Sequence, residues 1–197
     1  MSSIKLTADS GGGTFEIKAP SSSGNTRVLT LPDTGNLTLG KTGILQVVQA
    51  AKTDTASTTS GTYVTISGLS VNITPSSTSS KILVIADVKA GNDGGNGYYL
   101  QIVRDSTAIY VGDAASGKQQ CVQQTYGGGD TGEGKYGMAK MGGTFLDSPN
   151  TTSQVTYAVY WMRMNNATLY TNRCGDETHT QYEGRGASSI TVMEIKQ

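Results

Sequence analysis

The stretch Gln154-Val155-Thr156-Tyr157-Ala158-Val159-Tyr160-Trp161-Met162-Arg163-Met164 reads as a β-strand that is apolar on both faces. Successive side chains along a strand point to opposite sides. One side holds Val155, Tyr157, Val159 and Trp161; the other holds Ala158, Tyr160, Met162 and Met164. A second stretch, Lys81–Lys89, repeats the pattern, with Ile82, Val84, Ala86 and Val88 on one side and Leu83 and Ile85 before Asp87 on the other. A strand in a solitary two-sheet sandwich buries one face and wets the other. Two apolar faces therefore predict that the outer side is covered too. A subunit interface is the expected cover, which makes Ile82, Val84, Tyr157, Tyr160, Trp161, Met162 and Met164 candidate core or oligomer-contact residues. A loop of the same chain, or its N-terminal segment, is the alternative cover.

The same alternation recurs along the chain. Further strands are predicted at Ile4–Ala8, Thr14–Lys18, Arg27–Leu31, Leu37–Leu39, Ile44–Ala51, Thr62–Ile66, Leu69–Ile73, Tyr98–Asp105, Ala108–Gly112, Met138–Leu146, Thr168–Thr171 and Ser189–Lys196. Gly, Asn, Ser and Pro clusters separate them, as in Gly91–Gly97 and Pro75–Ser80. Of 197 residues, 26 are Gly, 27 Thr and 20 Ser, a composition that favours strands and turns over helix. The fold class is therefore all-β. Residues 1–40 hold short strands with few apolar side chains, too few for a core of their own. They read as a short β-rich N-terminal arm that needs a surface supplied elsewhere. Residues 41–197 hold longer strands, enough for a jelly-roll β-sandwich domain.

Composition excludes several functions. The 15 Lys and Arg balance the 15 Asp and Glu, so no net field draws the chain to nucleic acid or anionic lipid. The longest wholly aliphatic run, Ile82–Ala86, is far short of the roughly 20 residues of a membrane helix. The first ten residues lack the apolar core of a secretion signal, so folding in a cytoplasm is expected, with Cys121 and Cys174 as free thiols.

Candidate chemistry is sparse, and no cofactor is expected. The single histidine, His179, has no Gly-x-Ser-x-Gly elbow to serve. Cys174, Asp176, Glu177 and His179 are mixed zinc-type donors without a second ligand pair elsewhere. Gly91–Gly97 offers oxygen ligands but lacks the acidic residue that closes a calcium loop, and reads as a hairpin connection. Asp130 with Glu133, and Asp176 with Glu177, are the carboxylate pairs available for glycan hydrolysis. Tyr126, Tyr136 and Tyr182 are candidates for stacking on sugar rings in a receptor site. The span Gly112–Gly143 lacks the Gly-Lys-Ser/Thr of a phosphate loop and reads as a long surface loop.

Six stretches carry a resemblance. Ile4-Lys-Leu-Thr-Ala-Asp-Ser-Gly-Gly-Gly13, followed by Arg27-Val-Leu-Thr-Leu-Pro-Asp-Thr-Gly-Asn-Leu-Thr-Leu39, resembles the N-terminal segment of structural proteins from tailed-bacteriophage virions. Tyr63–Leu69, Ser80–Val84, Ile102–Asp105 and Ser188–Ile195 are similar to C-terminal domains of phage fibre and head-decoration proteins. The resemblance implies a trimeric jelly roll like the C1q and tumour-necrosis-factor fold, and a structural role in the virion. It implies a homotrimer that decorates the capsid and binds the major capsid protein, or a tail-fibre tip that binds a host surface glycan; a glycan-degrading depolymerase is a third class. The chain lacks the heptads or repeated segments of a long fibre shaft, which favours decoration of the shell. The arm would then add to a sheet edge of the shell, with Phe15, Ile17, Leu29, Leu31, Leu37 and Leu39 as apolar anchors.

Overall fold

The computed structural model describes residues 3–7, 14–18, 24, 43–94, 97–126, 135–178, 181 and 183–196. The chain divides into two compact units, Met1–Gly40 and Lys41–Gln197. In the first, β1 (Ser3–Thr7) and β2 (Thr14–Lys18) form an antiparallel two-stranded sheet. Its register sets Ile4 opposite Ile17 and Leu6 opposite Phe15. The predicted strands Arg27–Leu31 and Leu37–Leu39 lie outside the described residues.

The second unit is a sandwich of two antiparallel sheets. Its strands are β3 (Ile44–Lys52), β4 (Ala56–Thr58), β5 (Val64–Ile73), β6 (Lys81–Asn92), β7 (Tyr98–Arg104), β8 (Thr107–Ile109), β9 (Gln123–Thr125), β10 (Ala139–Asp147), β11 (Val155–Arg163), β12 (Leu169–Thr171) and β13 (Ser188–Ile195). One sheet runs β3-β13-β6, with β10 on the other side of β6 and the short β12 and β4 extending its far end. The other runs β5-β11-β7-β8, with β9 also pairing β7. The chain crosses between sheets at six of the ten connections between the sandwich strands described, and the first long strand pairs with the last. That wrapping is the jelly roll.

Alternation explains the packing. In β6, Ile82, Val84, Ala86 and Val88 point inward and are buried. In β11, Val155, Tyr157, Val159 and Trp161 do the same from the facing sheet. Leu69, Leu100, Ile102, Ile190 and Val192 complete the centre of the core.

Three predicted boundaries are corrected. The predicted strands Thr62–Ile66 and Leu69–Ile73 merge into one strand, β5, which starts at Val64 and is interrupted by a bulge. Ala158 faces Ser70, yet Tyr160 faces Thr65, so β5 carries extra residues there. Gly68 absorbs them at φ 84°, a left-handed conformation that costs glycine little. The bulge lets both Ile66 and Leu69 enter the core. Gly91 and Asn92 belong to β6 rather than to a connecting loop. The span 112–143 is not one loop, because β9 and the start of β10 lie within it.

Buried polar groups pin the sandwich. Glu194 is buried on β13 and accepts hydrogen bonds from the Ser76 backbone at 2.7 Å, the Ser76 hydroxyl at 2.6 Å and Gln46 Nε2 at 2.6 Å. Burial disfavours the carboxylate, but these hydrogen bonds outweigh it and hold the Glu194 pKa at about 2, below its ordinary 4.5. A depressed pKa gives stability that is complete above the unfolded value and lost as pH falls toward the folded one. Unfolding free energy measured in urea is expected to fall between pH 4.5 and about 2. Glu194→Gln should be less stable at neutral pH and flatter in acid; an equally steep acid loss in the variant contradicts this.

Candidate functional site

The outer face of the β5-β11-β7 sheet is closed by the chain itself over β11 and β7, while the outward residues of β5 stay exposed. Ala158 and Met162 point outward from β11, yet each is only 5% and 6% exposed, respectively. Met162 sits opposite Tyr99, and Ala158 opposite the buried Val103. The segment after β8 returns along this side. Its Gln120 carbonyl accepts hydrogen bonds from Gln101 Nε2 at 2.7 Å and from the Tyr63 hydroxyl at 2.9 Å. Burial, and then the neighbouring Cys121 and Tyr99, push the Tyr63 phenol pKa well up, so it stays a donor. Of the candidate contact residues, Ile82, Val84, Tyr157 and Trp161 lie in the core, Met162 is buried, and Tyr160 and Met164 are half-buried.

The outer face of the other sheet is different. Cross-strand register sets Val47 opposite Met193, Met193 opposite Leu83, and Leu83 opposite Leu146. One apolar row therefore runs across β3, β13, β6 and β10. Val47 is 54% exposed and Leu146 46%, and Leu83 and Met193 are half-buried. The row toward the open end pairs Ile44, 57% exposed, with Ile195. The row on the opposite side reads Gln49, Thr191, Ile85 and Thr144. Beyond it the face turns polar: Asp87 pairs with Lys89 and, at 3.6 Å, with Lys140.

Gly142 shapes that polar end. A Cβ there would lie 1.8 Å from the Ala86 carbonyl oxygen, so only glycine lets β10 approach β6 this closely. Gln123 covers the free edge of β10, its Oε1 accepting the Gly142 N–H at 2.9 Å. A shallow cleft of about 330 Å³ lies here, lined by Ile85, Asp87, Gln123, Lys140 and Thr144 among others.

The candidate chemical groups are committed elsewhere or not described. His179, Asp130, Glu133 and Tyr182 lie outside the described residues. Asp176 pairs with Lys135 at 2.6 Å and accepts from the Thr178 hydroxyl at 2.7 Å. Lys135, and then Thr178, hold its carboxyl below the ordinary carboxylate range, so it has no proton to donate as a general acid. Glu177 bridges Arg173 and Arg185. Arg173 in turn lies 3.7 Å above the Tyr170 ring. These pairs wall a polar cleft of about 400 Å³ beside Cys174. Cys174 is buried, with its thiol donating to the Tyr136 carbonyl at 2.9 Å, and both cysteines are free. Among the described residues, no three His, Cys, Asp or Glu side chains gather to hold a metal ion. Tyr126 is 63% exposed, and Tyr136 is half-buried beneath Lys135. Of the candidate anchors, Phe15 and Ile17 lie on β2, while Leu29, Leu31, Leu37 and Leu39 are outside the described residues.

Sequence reasoning missed the apolar row because it exists only once the strand order is known. Each strand contributes one or two residues, and register aligns them. No protein-family model matches the chain, and no curated protein matches it.

Proposed function

We propose that this chain is a non-enzymatic structural protein of a tailed-bacteriophage particle, a homotrimeric jelly roll that grips the head shell through its N-terminal unit and reinforces it. The observation that carries this reading is the division of the chain into a sandwich and a small separate unit holding a two-stranded sheet. Two strands alone are marginal in water. The β1–β2 register sets apolar residues opposite one another, Ile4 with Ile17 and Leu6 with Phe15. A small β unit of this composition gains stability by laying apolar residues on a foreign surface. The head shell, built on the major capsid protein, is that surface. This replaces a fully extended arm with a hairpin, so docking by an apolar face joins strand addition as a means of attachment.

Burying six apolar anchors is worth on the order of 10 kcal/mol before the ordering entropy of the arm is subtracted. Three arms on one trimer act at high effective concentration, so modest single contacts give durable attachment. Removal of residues 1–40 is expected to leave a folded sandwich whose binding to particles is weaker by at least about 100-fold. Co-sedimentation with undecorated heads measures it; a truncated protein that still coats heads overturns the reading. Copy number in purified particles tests the location. Hundreds per particle support the shell, whereas a few dozen point to a tail fibre that contacts host glycan.

A further inference from the structure

We propose that the outer face of the β3-β13-β6-β10 sheet is the surface on which a second copy of this chain docks, with Val47, Met193, Leu83 and Leu146 at its centre. The proposal builds on the assembly reading above and names the contact. A sheet face open to water alternates polar residues outward. Here four adjacent strands each present an apolar residue in register, and Ile44, Ile195 and Ile85 widen the row. Strands lie about 4.8 Å apart, so four strands and three rows span roughly 20 Å by 20 Å, or about 400 Å², a face that includes the polar Gln49, Thr191, Thr144 and Lys81. Its apolar part, about 250 Å², approaches the roughly 300 Å² at which the largest apolar patches of typical monomers begin. The whole face is about half of the roughly 800 Å² that one partner buries in a standard interface. Flanking Gln49, Thr191 and Thr144 supply a polar margin of the kind interfaces carry.

Charge argues for a copy of the same chain as the occupant. The chain has no net charge, so copies do not repel. Among the described residues, the charges beside the row carry both signs: Asp87, Lys89 and Lys140 cluster at one end, and Lys81, in register with Ile195, stands at the other. Lys140 is 72% exposed, free to exchange its partner for the Asp87 of another copy. A face with an apolar centre and charges of both signs meets a neighbouring copy without net repulsion. The other sheet offers no equivalent: the outward residues of β5 are Thr65, Ser67, Ser70 and Asn72, all exposed and polar.

The test is sedimentation equilibrium of the full chain from high micromolar to nanomolar concentration, with circular dichroism to report folding. The wild type is expected to assemble. The double variant Val47→Glu, Leu146→Glu changes two solvent-exposed positions and should stay folded, with its dissociation constant raised at least about 100-fold by carboxylates placed in an apolar contact. Ser70→Glu, on the outer face of the other sheet, should assemble as the wild type does. If the double variant loses its fold, the neutral pair Val47→Ser, Leu146→Ser reads the same contact through weakened association. A double variant that assembles normally, or a Ser70→Glu protein that dissociates, overturns this face while leaving assembly intact. A wild type that stays a single subunit at every concentration overturns both. Binding to heads after removal of residues 1–40 reads the shell role separately.

Discussion

Replacing Asp147 with alanine is expected to cost about 3–5 kcal/mol of folding stability, the range for breaking a buried ion pair from one side. Asp147 is a buried carboxylate on β10, in one sheet. Both of its oxygens accept from Arg104 Nη1 on β7, at 2.9 and 2.7 Å. The Tyr157 hydroxyl on β11 donates to the same carboxylate at 2.6 Å. Arg104 and Tyr157 belong to the facing sheet, so a single carboxylate fastens the two layers together. Alanine leaves the guanidinium without its counter-charge and the buried phenol without an acceptor. Burial, and then the hydrogen bond to Asp147, push the Tyr157 pKa far up, so the phenol cannot relieve the loss by ionising. Asp147→Asn keeps one acceptor and should cost less than alanine. Tyr157→Phe removes only the hydroxyl and should cost about 1–2 kcal/mol. Urea unfolding at neutral pH measures all three. A loss below about 1 kcal/mol for alanine would mean that water reaches the site and replaces the carboxylate.

The second large effect is expected at Asn172. This residue is fully buried, and its backbone is left-handed at φ 62°. Its side-chain amide donates to the carbonyls of Lys52, at 2.8 Å, and Asp54, at 2.9 Å. Its side-chain oxygen accepts the Ser188 hydroxyl at 2.6 Å, and Ser188 in turn accepts the Lys89 N–H at 2.9 Å. One side chain thus ties the ends of β3, β6 and β13 beside β12. Asn172→Ala orphans two carbonyls and a hydroxyl, and alanine tolerates the left-handed backbone less well than asparagine does. A loss of roughly 2–4 kcal/mol is expected. In a domain of this size that is a fall of roughly 5–15 °C in Tm. Asn172→Asp has the same shape but loses both amide donors and places a charge against two carbonyls, so it should be at least as damaging. Thermal unfolding followed by circular dichroism decides; a variant within 2 °C of wild type, set against that roughly 5–15 °C expectation, contradicts this assignment.

The all-β class and the long strands were legible from alternation, because Ile82, Val84, Ala86 and Val88 mark one face of β6 without help from any other part of the chain. β4 and β9 were not. Ala56-Ser57-Thr58 and Gln123-Gln124-Thr125 are three residues each and carry no alternating apolar pattern; they become strands by pairing with β12 and β7. β5 looked like two strands because the Gly68 bulge breaks its period. The two apolar faces of β11 were legible, but not their cover, since Ala158 and Met162 are buried by neighbours distant in sequence. Polar pins are the hardest class to anticipate. Asn172 and Lys52 are separated by 120 positions, and a buried asparagine looks like any turn asparagine until its partners are placed.

The pairing of β3 with β13 sets the timetable of folding. Ile44 meets Ile195 in the ladder, and β6 receives β13 along seven residue pairs. During synthesis, the chain from residue 44 onward therefore waits for residues 188–195 to leave the ribosome before the central sheet can close. Such non-local pairing makes folding slow, because loop closure is paid for before the contacts reward it. Until then β3 and β6 remain open edges that can join the wrong chain. Yield in a cell should thus depend on temperature and on chaperone supply far more than the stability of the finished sandwich would suggest.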